Sequence, residues 1–329
     1  MLNRRRALLI LQLTVAAGAL IYVLWLVDWK RATEVLGQAD VRWLGAAFVL
    51  LLFGFVPAAL RWTVLLRAMI VRYGWVAAYR AYLTGTFYGL AMPGVIGGDA
   101  ARIWFCLRET QAPLTLVAGT VLAERVLGVV ALLLILSLGI YWYPASDGGA
   151  NISWAPLLAL TLLGGIVGFP WMLRRVSFAM PEVTCREHGR WRKISGRILK
   201  ELSPIKRLGV VHLLTALVLS ILFQTFDILS TYVIGQALGL ELNVQMLLIA
   251  MPIVYLATVL PISPGGLGVR EGTLVIVLAQ FGLTGSDAAL LALAVFLNRV
   301  AVGMVGAAQH LAGGAKLSRE IAEVKRQSN

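Results

Sequence analysis

Charge is scarce in this sequence. Only 14% of its 329 residues are Asp, Glu, Lys or Arg, against roughly a quarter in soluble domains. Hydrophobic residues make up 59%, and the mean hydropathy is +0.83. The apolar residues run on without a polar stripe, which excludes a soluble fold and implies repeated membrane spans. Histidine and cysteine are rare as well. His188, His212 and His310 are scattered without ligand spacing, so no metal site is expected. Cys106 and Cys185 fall in or near segments expected at the cytoplasm, which implies no disulfide framework. No Walker loop, nucleophile elbow or metal-ligand cluster occurs. The chain is therefore expected to be neither an enzyme nor a cofactor carrier, and any transport is not powered by its own ATP hydrolysis. The net charge of +13 would suggest nucleic-acid binding in a soluble protein, but its distribution points to membrane topology instead.

Six segments are long enough to cross ~30 Å of hydrocarbon at ~1.5 Å per residue: Ala7–Val27, Val41–Leu60, Leu114–Tyr141, Trp154–Leu173, Val210–Gly235 and Ala288–Leu311. The first follows Arg4-Arg5-Arg6 and is expected to be an anchored helix rather than a cleaved signal. Lys and Arg set the orientation. Positives open the chain and recur at Arg61, Arg67, Arg72 and Arg80, all assigned to one basic loop. The stretch from Arg174 to Arg207 carries ten positives and three acids, and Lys316, Arg319, Lys325 and Arg326 lie in the tail. Placing every basic segment in the cytoplasm puts both termini there, in an inner-membrane protein. The basic loop 174–208 then faces anionic inner-leaflet lipid.

Two apolar regions, Trp75–Ala112 and Gln245–Leu283, are broken by Pro/Gly tracts into short arms. The charge pattern makes the first leave and return on the cytoplasmic side and the second on the outer side. Each is either a pair of spans or a re-entrant hairpin, and the short arms favour the hairpin. Irregular backbone at membrane depth persists only inside protein or beside a wet cavity, so the tips belong in the interior. The tip residues are Pro93, Gly94, Gly97 and Gly98 in the first, and Pro264, Gly265, Gly266 and Gly268 in the second.

The two tracts match. Gly97-Gly98-Asp99-Ala100-Ala101-Arg102 has a counterpart in Gly268-Val269-Arg270-Glu271-Gly272, and Glu124-Arg125 has one in Asn298-Arg299. Pro93 and Pro264 are 171 residues apart, and Arg125 and Arg299 are 174 apart. The predicted architecture is all-α: one polytopic transmembrane domain with halves at about 41–143 and 209–311, in an inverted repeat of the transporter kind. Asp99, Arg102, Glu124, Arg125, Arg270, Glu271 and Arg299 lie in or beside apolar segments, where a lone charge costs ~2.5–3.5 kcal/mol. They must pair or face water. Interhelical ion pairing accounts for them structurally. Functionally, guanidinium groups suit bidentate binding of phosphate or carboxylate, and the tips are expected to place Arg270 and Glu271 opposite Asp99 and Arg102. Asp227 admits three readings: counter-ion, proton carrier or helix-packing hydrogen bond.

The tract Pro264-Gly265-Gly266-Leu267-Gly268-Val269-Arg270-Glu271-Gly272 resembles the signature of the lysylphosphatidylglycerol synthase transmembrane region, the flippase-like domain family. Gly97-Gly98-Asp99-Ala100-Ala101-Arg102 and Glu124-Arg125 resemble its first-half motifs. The resemblance implies a lipid translocase for an anionic or modified phospholipid, a hopanoid or a polyprenyl-linked lipid, expected here as a stand-alone member without the synthase domain. The rival expectation is a non-transporting scaffold for a separate lipid- or glycan-modifying enzyme. A soluble-anion carrier is the third.

Overall fold

The computed structural model describes residues 24–91, 97–142, 209–259 and 266–327, with residues 14, 18, 21 and 22 besides. The expected span Trp154–Leu173, the basic loop 174–208 and most of Ala7–Val27 lie outside these residues, as do tip residues Pro93, Gly94, Pro264 and Gly265. The described chain is helical throughout: α1 (Trp29–Gln38), α2 (Val41–Ala68), α3 (Trp75–Ala91), α4 (Gly97–Thr110), α5 (Leu114–Trp142), α6 (Val210–Ala237), α7 (Val244–Val259), α8 (Val269–Ala279) and α9 (Gly285–Gln327). This is a polytopic helical bundle. Among the described residues, α2, α5, α6 and residues 285–312 of α9 are long and apolar enough to cross a membrane. The arms α3, α4, α7 and α8 have 17, 14, 16 and 11 residues, short of the ~20 a span needs.

Asp40 starts α2 by accepting the Arg42 N–H at 2.9 Å, which satisfies one of the donors a helix N-terminus leaves free. The helix then runs past the expected end at Leu60 to Ala68. Arg61 therefore does not belong to a basic loop. It is a buried residue two turns inside a membrane-length helix.

Helix, broken hairpin, helix occurs twice, as α2 to α5 and as α6 to α9. Packing respects an exchange of the two sets. Helix α2 packs on α6; α3 packs on α9 as α7 does on α5; α5 packs on α6 as α9 does on α2. Contacts along α2 and α6 run in opposite senses: Ala47 meets Ser230, Gly54 meets Phe226, and Arg61 meets Ser220. Each hairpin follows the C-terminal end of its helix, so the two enter the bundle from opposite ends.

Small residues make these approaches possible, as is usual where helices associate without a hydrophobic drive from water. In α9, Gly303 and Gly306 lie against the α3 backbone at Phe87 and at Leu83–Thr84. In α5, a Cβ on Gly139 would stand 2.8 Å from the Leu248 carbonyl carbon of α7. The two arms of the first hairpin meet in the same way, because a Cβ on Gly98 would lie 2.6 Å from the Gly85 carbonyl oxygen. Gly98→Ala is expected to destabilise the fold by about 1–3 kcal/mol, the usual cost of overpacking. Gly45→Ala, at a helical glycine with nothing within 4 Å, is expected to be neutral or to stabilise by up to ~1 kcal/mol. Melting temperatures of the detergent-purified variants check the opposite signs.

Candidate functional site

Glu124, in the first half of α5, is 2% exposed and accepts three side-chain hydrogen bonds. Arg61 Nε of α2 donates at 3.0 Å, Tyr82 Oη of α3 at 2.6 Å, and Arg102 Nη1 of α4 at 3.1 Å. A carboxylate buried this deeply would be prohibitively costly without such partners. Two cations and a hydroxyl supply them from three different helices. Arg61 continues to Ser220 of α6 at 3.0 Å. The Arg102 guanidinium lies 4.1 Å from the Tyr82 ring centre and 5.1 Å from that of Trp62, the geometry of cation–π attraction.

Asp99 extends the network. It sits in the first turn of α4, where an acid is favoured by the helix dipole. One carboxylate oxygen accepts from Arg102 at 2.5 Å, and the other accepts from Arg125 Nε at 2.8 Å and from Arg125 Nη2. Arg125 contrasts with the rest, since its side chain is 46% exposed.

A second network belongs to the other half. Asp227 of α6 accepts from Arg299 Nη2 of α9 at 2.9 Å, and also from the Tyr255 hydroxyl of α7. Arg299 lies over the Tyr255 ring at 5.3 Å. Its buried Nε has no hydrogen-bond partner among the described residues. Of the readings of Asp227, the geometry shows two together: counter-ion to Arg299 and hydrogen-bond acceptor from Tyr255 of the packed helix α7. The halves use one plan with the signs reversed. In the first, the leading helix brings the cation (Arg61) and the trailing helix the acid (Glu124). In the second, the leading helix brings the acid (Asp227) and the trailing helix the cation (Arg299). A tyrosine from the first arm of the hairpin, Tyr82 or Tyr255, joins each pair.

Both networks open on one cavity of about 570 Å³. Asp99, Arg102, Glu124, Arg125 and Arg299 all line it, together with Arg61, Tyr82, Asp227 and Tyr255. Arg270 and Glu271 do not. Arg270 turns to its neighbour Glu271 at 3.2 Å, and neither bonds to Asp99 or Arg102. The cause is local. Glu271 stands in the first turn of α8 and accepts the Gly268 N–H at 2.7 Å, which holds the carboxylate at its own helix end. Gly268 has φ +78° and Gly266 φ +74°, left-handed values that glycine adopts without strain. The other tip residues described, Gly97 and Gly98, open α4.

A family model described as "Lysylphosphatidylglycerol synthase TM region" matches residues 9–306. The chain belongs to this family. It is also 23% identical over 315 residues to the UPF0104 membrane protein PH1989 of Pyrococcus horikoshii, a match covering 88% of this chain and 91% of that one. The family match embraces both halves and every residue that lines the cavity.

Sequence reasoning missed Arg61, Tyr82 and Tyr255. Arg61 was hidden by grouping it with the basic residues that follow, although it is flanked by apolar residues on both sides. The tyrosines carry a signal only through the repeat: they are 173 residues apart, between the offsets of the proline and arginine pairs. The Asp227–Arg299 pair is open to a direct test. Asp227→Asn leaves a guanidinium without its carboxylate and is expected to cost on the order of 3 kcal/mol, the low end for breaking a buried pair. The double variant Asp227→Asn/Arg299→Gln is expected to regain at least half of that loss. Unfolding midpoints of wild type, both single variants and the double variant give the coupling.

Proposed function

We propose that the protein translocates a lipid between the leaflets of the inner membrane, passing the headgroup through the charged cavity while the tails stay in the bilayer. The observation that carries this reading is the composition of the cavity wall. It is built from both halves of a membrane-embedded bundle and holds four arginines. Arg125 is 46% exposed and Arg299 meets a single carboxylate, and guanidinium groups on a cavity wall suit a phosphate. Family membership supports a lipid setting, since the family is named for the transmembrane region of lysylphosphatidylglycerol synthase.

In this reading both termini are cytoplasmic, and the basic segment 174–208 rests on anionic inner-leaflet lipid. Hairpins entering from opposite ends form an inverted repeat, and rocking of one half against the other exposes the cavity to each side in turn. The chain acts as a carrier and not as an enzyme, and its partner is the lipid itself. Arg125 and Arg299 hold the headgroup. Arg61, Arg102, Glu124, Asp99 and Asp227 hold the wall in place. Arg270 and Glu271 shape the second tip.

Arg125 separates binding from folding, because Asp99 keeps Arg102 when Arg125 is removed. Arg125→Ala is expected to slow movement of a fluorescent anionic phospholipid in proteoliposomes by about tenfold or more, the worth of one charge-assisted contact of ~1.5–3 kcal/mol. Its melting temperature should stay close to that of wild type. Arg125→Lys is expected to recover part of the rate, because an ammonium keeps the charge without the fork. Wild-type movement by folded Arg125→Ala would remove Arg125 from the headgroup site. Absence of lipid movement by the wild-type protein would overturn the translocase reading itself.

A further inference from the structure

The charges on the cavity wall do not cancel. Arg61, Arg102, Arg125 and Arg299 face Asp99, Glu124 and Asp227, four cations against three carboxylates. The neighbouring Arg270–Glu271 pair is neutral by itself. The undescribed segments nearest the tips add nothing to the balance, because residues 92–96 and 260–265 contain no charged side chain. The expected span Trp154–Leu173 contains none either. Among the described residues the wall therefore carries one positive charge in excess.

That excess has a location. Arg61 and Arg102 share Glu124, and Ser220, Tyr82 and Asp99 take further donors of theirs. Arg125 spends Nε and Nη2 on Asp99 and keeps Nη1. Arg299 spends Nη2 on Asp227 and Tyr255 and keeps a buried Nε that has no partner among the described residues. Arg125 and Arg299, one from each half, thus both keep donors without a partner among the described residues. A phosphodiester offers one negative charge, which matches the one excess cation. Net charge left on the partly buried side chains of such a wall is costly.

Resting on the translocase reading, we propose that the cavity selects lipids whose headgroup is a phosphodiester with one net negative charge. It discriminates against a pyrophosphate, against a headgroup made cationic by an added amino acid, and against an uncharged headgroup. A pyrophosphate would turn the excess into a deficit. A phosphodiester bearing lysine would bring its own surplus of positive charge and raise the imbalance. A neutral headgroup would leave it standing. The volume, about 570 Å³, is that of a pocket for one small ligand (~300–1,000 Å³), enough for a phosphate and a compact polar group.

The full chain, purified in detergent, is titrated by native mass spectrometry with four lipids of matched acyl chains: phosphatidylglycerol, lysylphosphatidylglycerol, diacylglycerol pyrophosphate and diacylglycerol. Phosphatidylglycerol is expected to bind at least about tenfold more tightly than each of the others, a tenfold ratio being ~1.4 kcal/mol. Equal or tighter binding of the pyrophosphate or the lysylated lipid overturns the selection rule. Lipid movement measured in proteoliposomes with the same protein keeps that result separate from failure of the translocase reading.

Gln224 supplies a second arm. It lines the cavity and is buried. Gln224→Glu cancels the excess charge and is expected to abolish the preference for phosphatidylglycerol over diacylglycerol. An unchanged preference in folded Gln224→Glu overturns the charge argument. If that variant fails to fold, the wild-type ranking of the four lipids decides alone. Soluble glycerophosphoglycerol is included to separate the sources of the phosphodiester. It is expected to bind much more weakly than the lipid, and binding as tight as the lipid's would identify a soluble-anion carrier instead.

Discussion

Glu124 is the constraint on which the first half depends. One carboxylate, sealed from solvent, fixes side chains from α2, α3 and α4 against α5. Take it away and buried Arg61 loses its carboxylate, while Arg102 keeps only Asp99. The hairpin α3–α4 is too short to be held by spanning the membrane, and its two arms are pinned instead by Tyr82 and Arg102 meeting at this one group. Asp99 and Arg125 then hang on the same frame through Arg102. The positions of the exposed and the sealed arginines are thus consequences of where a single acid sits on α5.

The second half solves the same problem with less redundancy. Asp227 has Arg299 and Tyr255, and no second arginine closes around it. Its hairpin is instead secured at its own tip, where Glu271 caps α8 through the Gly268 N–H. The pairs Arg61–Glu124 and Asp227–Arg299 are each neutral, and the excess cation of the wall comes from the first half, where Arg61, Arg102 and Arg125 face Asp99 and Glu124. Two sets of helices in the same order thus build an asymmetric site, with closely paired Arg61 and Arg102 and the exposed Arg125 on one side and Arg299 with its single carboxylate on the other.

Much of this was legible in the sequence. Charge depletion and run length identified the membrane fold, and α5 and α6 lie within two residues of the spans expected from hydropathy. Broken hairpins were visible because proline and glycine punctuate apolar runs that are otherwise uniform. Asp99, Arg102, Glu124, Arg125 and Arg299 stood out because a charge in such a run has to be answered by something. What answers it was not legible. Asp227 and Arg299 are 72 positions apart and Arg61 and Glu124 are 63 apart, and nothing local in either helix names the partner. Arg61 was misplaced because a rule about loops was applied to a residue still inside a helix. Arg270 was expected beside Asp99 and Arg102 because its motif resembles the first tip; its hydrogen bonds go instead to Glu271, which caps α8.

The contacts between the halves have a mechanical character of their own. Where α9 crosses α3 and where α5 crosses α7, glycines bring one helix against the bare backbone of the other. Seams built from leucine or phenylalanine interlock like gear teeth, and each step along them forces side chains over rotamer barriers. A glycine seam has shallow relief. The α2–α6 seam between the halves is built otherwise, keyed by Phe55 against Phe223 and by Arg61 bonded to Ser220, so the two kinds of seam divide the work of close approach and of fixed register.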